Sequence, residues 1–323
     1  MSAETILVTG GTGFLGAALV RQLATMDSCA LVLPVRNTHA QFSPVARVLQ
    51  IDDLAADTDW RQALSGVDKV VHAAARVHIM KETSADPLTE FRKVNVDGTL
   101  SLARQSVAAG VKRFIFISSI KVNGERTGTG TAYCADDVPA PVDPYGITKM
   151  EAEQGLKELA SNSSMEVVII RPVLIYGPGV KANFLSMMNW LSKGVPLPFG
   201  AIHNRRSLVA LDNLIDLIIT CLNHPAAANQ TFLVSDGQDV STTELLRKTS
   251  DALHHPACLI PLPVWIMRVL AVSLGKQALF QRLFDSLQVD ISKNKQLLDW
   301  TPPMSLEQSL AKTVQHFLES TKS

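Results

Sequence analysis

The 323-residue chain is short of several things, and each shortage excludes a class of function. Lys+Arg and Asp+Glu number 30 each, so the formal charge is zero. A nucleic-acid binder needs a basic excess, and this composition has none. The cysteines, Cys29, Cys134, Cys221 and Cys258, contain no CxxC pair. That excludes a zinc-site spacing and a disulfide framework, and leaves reduced thiols of the cytosolic kind. No apolar run reaches the roughly 18 residues of a membrane span. The best candidate, Val264–Gly275, is interrupted by Arg268. It suits the cover of a substrate pocket or a subunit contact, or a helix lying on a membrane surface. The first strand pattern starts at Thr5, which leaves no room for a signal peptide and sets the expected location as cytoplasmic. Aromatics make up 6% of the chain and tyrosines number three, so any tyrosine in a patterned setting asks for an explanation.

What is present is an alternation. Short, β-branched, unalternated runs at Thr5–Gly10, Ala30–Val35, Ala46–Ile51, Asp68–Ala75, Arg113–Ser119 and Glu166–Pro172 read as strands buried on both faces. Helical patterns at Phe14–Thr25, Pro87–Ala109 and Pro144–Ala160 separate them. The expectation is an α/β fold of the Rossmann type, a doubly wound parallel sheet, over residues 1–172. Thr231–Val234 would return to that sheet as a seventh strand. Residues 173–323 are expected to form a smaller, mostly helical substrate-binding part. Its helices fall at about Asp212–Asn223, Thr242–Leu253, Val264–Leu274 and Leu306–Leu318, leaving a ligand cleft between the two parts.

"TGGTGFLG" (Thr9–Gly16) follows the first strand and precedes a helix, with Gly10, Gly13 and Gly16 spaced G-x-x-G-x-x-G. Glycines there allow a tight turn and a close approach to a diphosphate held at the helix N-terminus. A dinucleotide site is therefore expected. Sites for NAD usually carry an acid after the second strand, whereas "LPVRN" places Arg36 there. An arginine suits a 2′-phosphate, so the leaning is to NADP(H) over NAD(H). Asp53 and Leu54 fall where adenine contacts are expected, though Asp53 could simply cap the next turn. In "DPYGITKMEAE" Asp143 and Pro144 open a helix, and Tyr145 and Lys149, four apart, share one face of it.

These pieces, with "HAAARV" (His72–Val77), "NVDGT" (Asn95–Thr99), "SSIKVNG" (Ser118–Gly124), "RPVLIYGPG" (Arg171–Gly179), "RRSLVALDNL" (Arg205–Leu214) and "LLDWTP" (Leu297–Pro302), occur in one order along nearly the whole chain. In that order they resemble the extended short-chain dehydrogenase/reductase family, the NAD-dependent epimerase/dehydratase group.

The resemblance implies an enzyme with Tyr145 as acid/base. Lys149 would hold the nicotinamide ribose and lower the tyrosine pKa. Ser119 would hydrogen-bond the reacting oxygen, with Ser118 in its place if the register shifts by one. Thr12, Phe14, Leu15, Ala73, Ala74, Ala75 and Pro172 would join the glycines around the cofactor. Asn95 matches the family's helix asparagine, with a purely structural role as its alternative. Arg206 would grip the substrate diphosphate, with Lys121, Asn123 and Asn183 as further substrate contacts. Trp300 and Pro302 would anchor the C-terminal helix. A homodimer is implied by analogy.

Ile120 and Lys121 stand where 4,6-dehydratases carry an acidic pair. Asn123 replaces the family's usual tyrosine, a change expected to reshape the sugar pocket. "SSIKVNGE" and "RRSLVALDNL" are similar to bacterial 4-ketoreductases that form UDP-N-acetylquinovosamine for surface polysaccharide. Reduction of a UDP-4-keto-6-deoxy-N-acetylhexosamine is thus the leading expectation. The alternatives are 4-epimerisation of a UDP-sugar with tightly bound NAD, a hydroxysteroid-like dehydrogenase, and a non-catalytic dinucleotide sensor.

Overall fold

The computed structural model describes residues 4–36, 46–77, 86–128, 130–273, 275, 281 and 283–321. Seven parallel strands form the main sheet in the order β3-β2-β1-β4-β5-β6-β9. They are β1 (Glu4–Thr9), β2 (Cys29–Val35), β3 (Ala46–Gln50), β4 (Lys69–His72), β5 (Arg113–Ile117), β6 (Glu166–Pro172) and β9 (Thr231–Val234). Most of the unalternated runs become strands covered on both faces, β5 and β9 being buried at every position; the Ala46–Ile51 run is the exception, because it forms the edge strand β3, which no position buries fully. β9 pairs in register with β6, Ile169 to Thr231 through Pro172 to Val234, so the late "TFLV" run does return to the sheet.

One face is covered by α1 (Phe14–Leu23) and α7 (Leu211–Asn223), through a core that includes Leu19, Leu23, Ile115, Val168, Leu214 and Ile218. The other is covered by the short α2 (Arg61–Leu64), α4 (Thr99–Ala108) and α5 (Pro144–Ser161), around Trp60, Leu102, Phe114, Phe116, Ala152 and Leu156. Arg113, buried at the start of β5, donates to the carbonyls of Cys221, Leu222 and His224. Those are the orphan carbonyls at the C-terminus of α7, where a cation is favoured.

Two segments depart from the pattern read in the sequence. The expected helix over Pro87–Ala109 is α3 (Pro87–Arg92), then a wider π turn over Lys93–Gly98, then α4. A close neighbour explains the wide turn. A Cβ on Gly98 would lie 2.8 Å from the Leu54 carbonyl, and the π geometry fits this backbone against that loop without a side chain. The later part is also less helical than expected. It contains a three-stranded sheet, β10-β8-β7, of β7 (Leu174–Tyr176), β8 (Arg206–Ala210) and β10 (Asp239–Val240). These runs are too short to show a period. Around them lie α6 (Ala182–Ser192), α8 (Thr242–Ala252), α9 (Val264–Ser273), α10 (Ser292–Leu298) and α11 (Leu306–Ser320). Ser241 and Ser305 open α8 and α11 with reciprocal capping boxes. Trp300 is buried and its indole N–H donates to Asp216 Oδ1 at 2.6 Å, tying the C-terminal segment to α7.

Candidate active site

The chemistry-bearing residues gather at the carboxyl ends of the parallel strands, where open α/β sheets place their ligands. β1 delivers the glycine loop. Gly10 adopts φ 72° and a Cβ there would lie 2.8 Å from Ala74 N, while a Cβ on Gly16 would lie 2.1 Å from the Gly10 carbonyl. Glycine at both positions lets β1, the Ala73–Ala75 segment and α1 come together. Thr12 and Gly13 form the exposed tip, Phe14 is half-buried, and Leu15 packs inward. α1 has Gly13 as N-cap with no side-chain cap and no acid in its first turn. Its first N–H groups and positive dipole end therefore face outward, which fits a diphosphate.

His72 holds this cradle. Its ring is fully buried, with Nδ1 2.8 Å from Thr9 Oγ1 and Nε2 2.9 Å from Thr99 Oγ1, and Thr9 Oγ1 also accepts from Ala74 N. Burial, with the Lys149 charge adding, pushes the imidazole down to about 3. The unfolded imidazole protonates near 6.5. Between those values the unfolded chain binds the extra proton, so stability falls as pH drops from about 6.5 toward 3. His72→Asn is expected to flatten this slope, read as the urea midpoint at pH 7, 6 and 5. An unchanged slope would assign the acid sensitivity elsewhere.

Helix α5 starts where Asp143 Oδ1 accepts from Gly146 N at 2.7 Å, with Pro144 at the first position. Tyr145 sits in the first turn, half-buried, with its ring edge-on to Phe91 at 6.3 Å. Lys149, one turn on, is 1% exposed. Its Nζ donates to the Ile117 carbonyl at 2.8 Å and lies 4.3 Å from the Phe116 ring centre and 5.9 Å from that of Tyr145. Burial pushes this ammonium down to about 7, opposed by the Glu153 charge. The Tyr145 phenol is pushed up, first by burial and then by Asp143. The lysine was expected to pull the tyrosine down. In the protein alone the direction is the opposite one, set by burial.

The two serines after β5 take different roles. Ser118 is buried and donates to Glu153 Oε1 at 2.5 Å. Ser119 is half-buried, and its Oγ accepts only a long 3.3 Å bond from Lys121 N at the start of a 3₁₀ turn, Ile120–Val122. Of the two hydroxyls, that of Ser119 is the more accessible.

Asn123 and Lys121 both have partners within the protein. Asn123 is 2% exposed. It accepts from Arg171 at 2.9 Å and donates to the Cys134 carbonyl at 3.0 Å. Arg171 in turn makes a two-pronged pair with Glu153, Nε–Oε1 at 2.9 Å and a terminal nitrogen to Oε2 at 2.6 Å. Lys121 pairs with Asp143 and, at 3.1 Å, with Glu125. Asn95 is buried too. It donates to the Arg76 carbonyl and Thr148 Oγ1 and accepts from Arg76 N, linking the loop after β4 to α5.

Beyond the ends of β2 and β3, Arg36 and Asp53 are exposed and 3.9 Å apart. Asp53 Oδ1 accepts from Leu54 N, and Leu54 is buried. Pro172 is buried at the end of β6. Asn183 is exposed in the first turn of α6. Arg206 opens β8, and one of its terminal nitrogens donates to the Asp285 carbonyl at 3.0 Å. Residues 286–290 bond on one side to the Arg205–Ser207 segment and on the other to Thr127 and Tyr133. The loop between Ser119 and Tyr145 is thereby stitched to the strand that carries Arg206.

Sequence reasoning gives no role to His72, Phe91 or Arg171, and the amphipathic reading of the helix sets Glu153 and Lys149 on its surface, whereas both are buried, Glu153 against Arg171. For Glu153 a signal existed, since it lies four residues after Lys149 and so on the same helix face.

Comparison with known proteins agrees with this layout. Residues 6–235 match the model of the NAD dependent epimerase/dehydratase family. The chain is 49% identical over 318 residues to a UDP-glucose 4-epimerase of Vibrio cholerae, covering 98% of this chain and 96% of that one. It is 26% identical to the N-acetyl-α-D-glucosaminyl-diphospho-ditrans,octacis-undecaprenol 4-epimerase of Escherichia coli O157:H7, covering 97% and 95%. Among solved structures, the UDP-glucuronic acid 4-epimerase of Bacillus cereus, in complex with NAD, superposes with a TM-score of 0.78. The identity there is 21%, over 98% of this chain and 99% of that one.

Proposed function

The chain belongs to the NAD dependent epimerase/dehydratase family, and on that premise we propose that it is a UDP-hexose 4-epimerase working with bound NAD. The observation that carries the reading is the convergence of Tyr145, Lys149 and Ser119 beside the glycine cradle, in a chain 49% identical to a UDP-glucose 4-epimerase. The ketoreductase expectation rested in part on Asn123 and Arg36. Asn123 is buried against Arg171, which favours a part in the fold over one in shaping a sugar pocket. Arg36 stands beside the Asp53 carboxylate, which offsets the charge a 2′-phosphate would need.

In this reading the α1 N-terminus takes the cofactor diphosphate and Ala73–Ala75 lie along it, small enough for a close approach. NAD, when bound, supplies the acceptor and later the donor of the hydride at the sugar C4. Tyr145 removes the proton from O4 and returns it after the sugar has turned over, and Ser119 donates a hydrogen bond to the same oxygen. Lys149, as the ammonium, favours the phenolate and reaches the ribose hydroxyls. Arg206, whose guanidinium stays charged even when buried, meets the substrate diphosphate.

The test is conversion of UDP-glucose to UDP-galactose by purified protein with no cofactor added, followed by NMR, with UDP-N-acetylglucosamine run in parallel. An equilibrium mixture with either substrate is expected. No conversion, combined with NADPH oxidation on a UDP-4-keto-6-deoxy-N-acetylhexosamine, would return the reading to a reductase.

A further inference from the structure

One ion pair joins the two segments that carry the proposed chemistry. Lys121 lies two residues after Ser119, in the 3₁₀ turn that Ser119 opens, and its backbone N–H donates to Ser119 Oγ at 3.3 Å. Asp143 lies two residues before Tyr145 and caps the helix whose first turn carries that tyrosine. The Lys121 ammonium pairs with Asp143 Oδ2, while Oδ1 keeps the cap bond from Gly146 N. The backbones close up at the same point. A Cβ on Gly146, the residue after Tyr145, would lie 2.8 Å from the Lys121 carbonyl, so glycine there lets the turn seat against α5.

Neither the cap nor the stability of the fold explains two charges here. Asparagine caps a helix as well as aspartate does. A pair whose side chains are 36% and 30% exposed adds little to stability. The phenol beside them gives the charges a use. Tyr145 sits at the positive end of α5, where an anion such as a phenolate is favoured. The Asp143 carboxylate occupies the same end and opposes a second negative charge. The phenol is already pushed up, first by burial and then by this carboxylate. Lys121 reaches the carboxylate from outside the helix and offsets its charge. The other charged groups around this corner are Lys149 on the same helix, Glu125 at 3.1 Å from Lys121, Arg76 over the Phe91 ring at 5.8 Å, and the closed pairs Arg92–Glu151 and Arg171–Glu153.

We propose that Lys121 and Asp143 are positioning residues for proton transfer at Tyr145: the pair presents the phenol with a neutralised helix cap, and Lys121 keeps Asp143 from opposing the phenolate. This rests on the acid/base role given to Tyr145 above.

The test is the pH dependence of kcat/KM for UDP-glucose on the NAD-loaded enzyme, whose rising limb reports the deprotonation of Tyr145. Lys121→Met leaves Asp143 unopposed and is expected to move that limb to higher pH by roughly one unit. Asp143→Asn keeps the cap, removes the anion and leaves the cation, so it is expected to move the limb to lower pH by a similar amount. Lys121→Arg keeps the cation and should stay close to the wild type. Joining Lys121→Met with Asp143→Asn should bring the limb back near its wild-type place. Opposite shifts from the two single variants are the mark of charge, because lost packing would lower the rate at every pH and leave the limb where it is. Unmoved limbs, or limbs that move the same way, overturn the proposal. A second readout needs no turnover. It is the near-ultraviolet phenolate absorption of the same NAD-loaded proteins along the pH scale, with the Tyr145→Phe chain subtracted to remove Tyr133 and Tyr176. If the wild type fails to interconvert UDP-sugars, the functional reading falls, and the presence or absence of opposite displacements in that phenolate signal still decides for or against the pair.

Discussion

Tyr145→Phe is expected to lower turnover by about 10²–10⁴-fold, the range over which a positioned acid/base accelerates proton transfer, while the protein still folds and still retains its dinucleotide. The substitution keeps the ring, and with it the edge-on contact to Phe91 at 6.3 Å and the Lys149 ammonium 5.9 Å from the ring centre. It removes only the oxygen. The cofactor cradle is built by other residues, namely the glycine loop and the His72–Thr9–Thr99 bonds. The loss should therefore fall on kcat, with little change in KM, the pattern for an interaction made in the transition state alone. The check is the initial rate of UDP-sugar interconversion, beside the dinucleotide released on denaturation. A variant with near-normal turnover would remove Tyr145 from the proposed acid/base role.

Much of this arrangement was legible because it obeys local rules. Unalternated β-branched runs read as strands covered on both faces, and apart from the half-exposed edge strand β3 they largely are. The glycine loop, the Asp143–Pro144 helix start and the Tyr145–Lys149 spacing are set within a few residues of sequence. What could not be read depends on partners far along the chain. Asn123 stands one residue from a glycine in a turn-like stretch, and nothing local says that it faces Arg171, 48 positions on. That Ser118 is taken up inside the fold depends on Glu153, 35 residues on. The π turn at Lys93–Gly98 answers to the Leu54 carbonyl, a contact between segments that share no sequence signal. The sign of the Tyr145 shift likewise follows from burial, which no motif records.

The largest stability loss is expected at that same distant partnership. Arg171 and Glu153 are a buried ion pair, each side chain 2% exposed, joined by two bonds. Arg171→Ala would leave the Glu153 carboxylate in the interior without its cation, a change that typically costs about 3–5 kcal/mol. It would also strip Asn123 Oδ1 of its donor. The measurement is the urea midpoint, with the slope compared to confirm that the same transition is followed. Glu153→Leu combined with Arg171→Met removes both charges. By itself such an exchange is often neutral or stabilising. Here recovery should be partial, because Ser118 Oγ and Asn123 Oδ1 would still lack partners, at about 1–3 kcal/mol for each buried group left unsatisfied. The order wild type, then the double variant, then Arg171→Ala is the expected result. If Arg171→Ala unfolds at the wild-type midpoint, the pair is not what fixes the ends of β5 and β6 to α5. Partial recovery would instead show that the serine and asparagine flanking Ser119 draw their fixed positions from this pair. The hydroxyl proposed to meet the substrate would then be held in place by a charge pair that the substrate never touches.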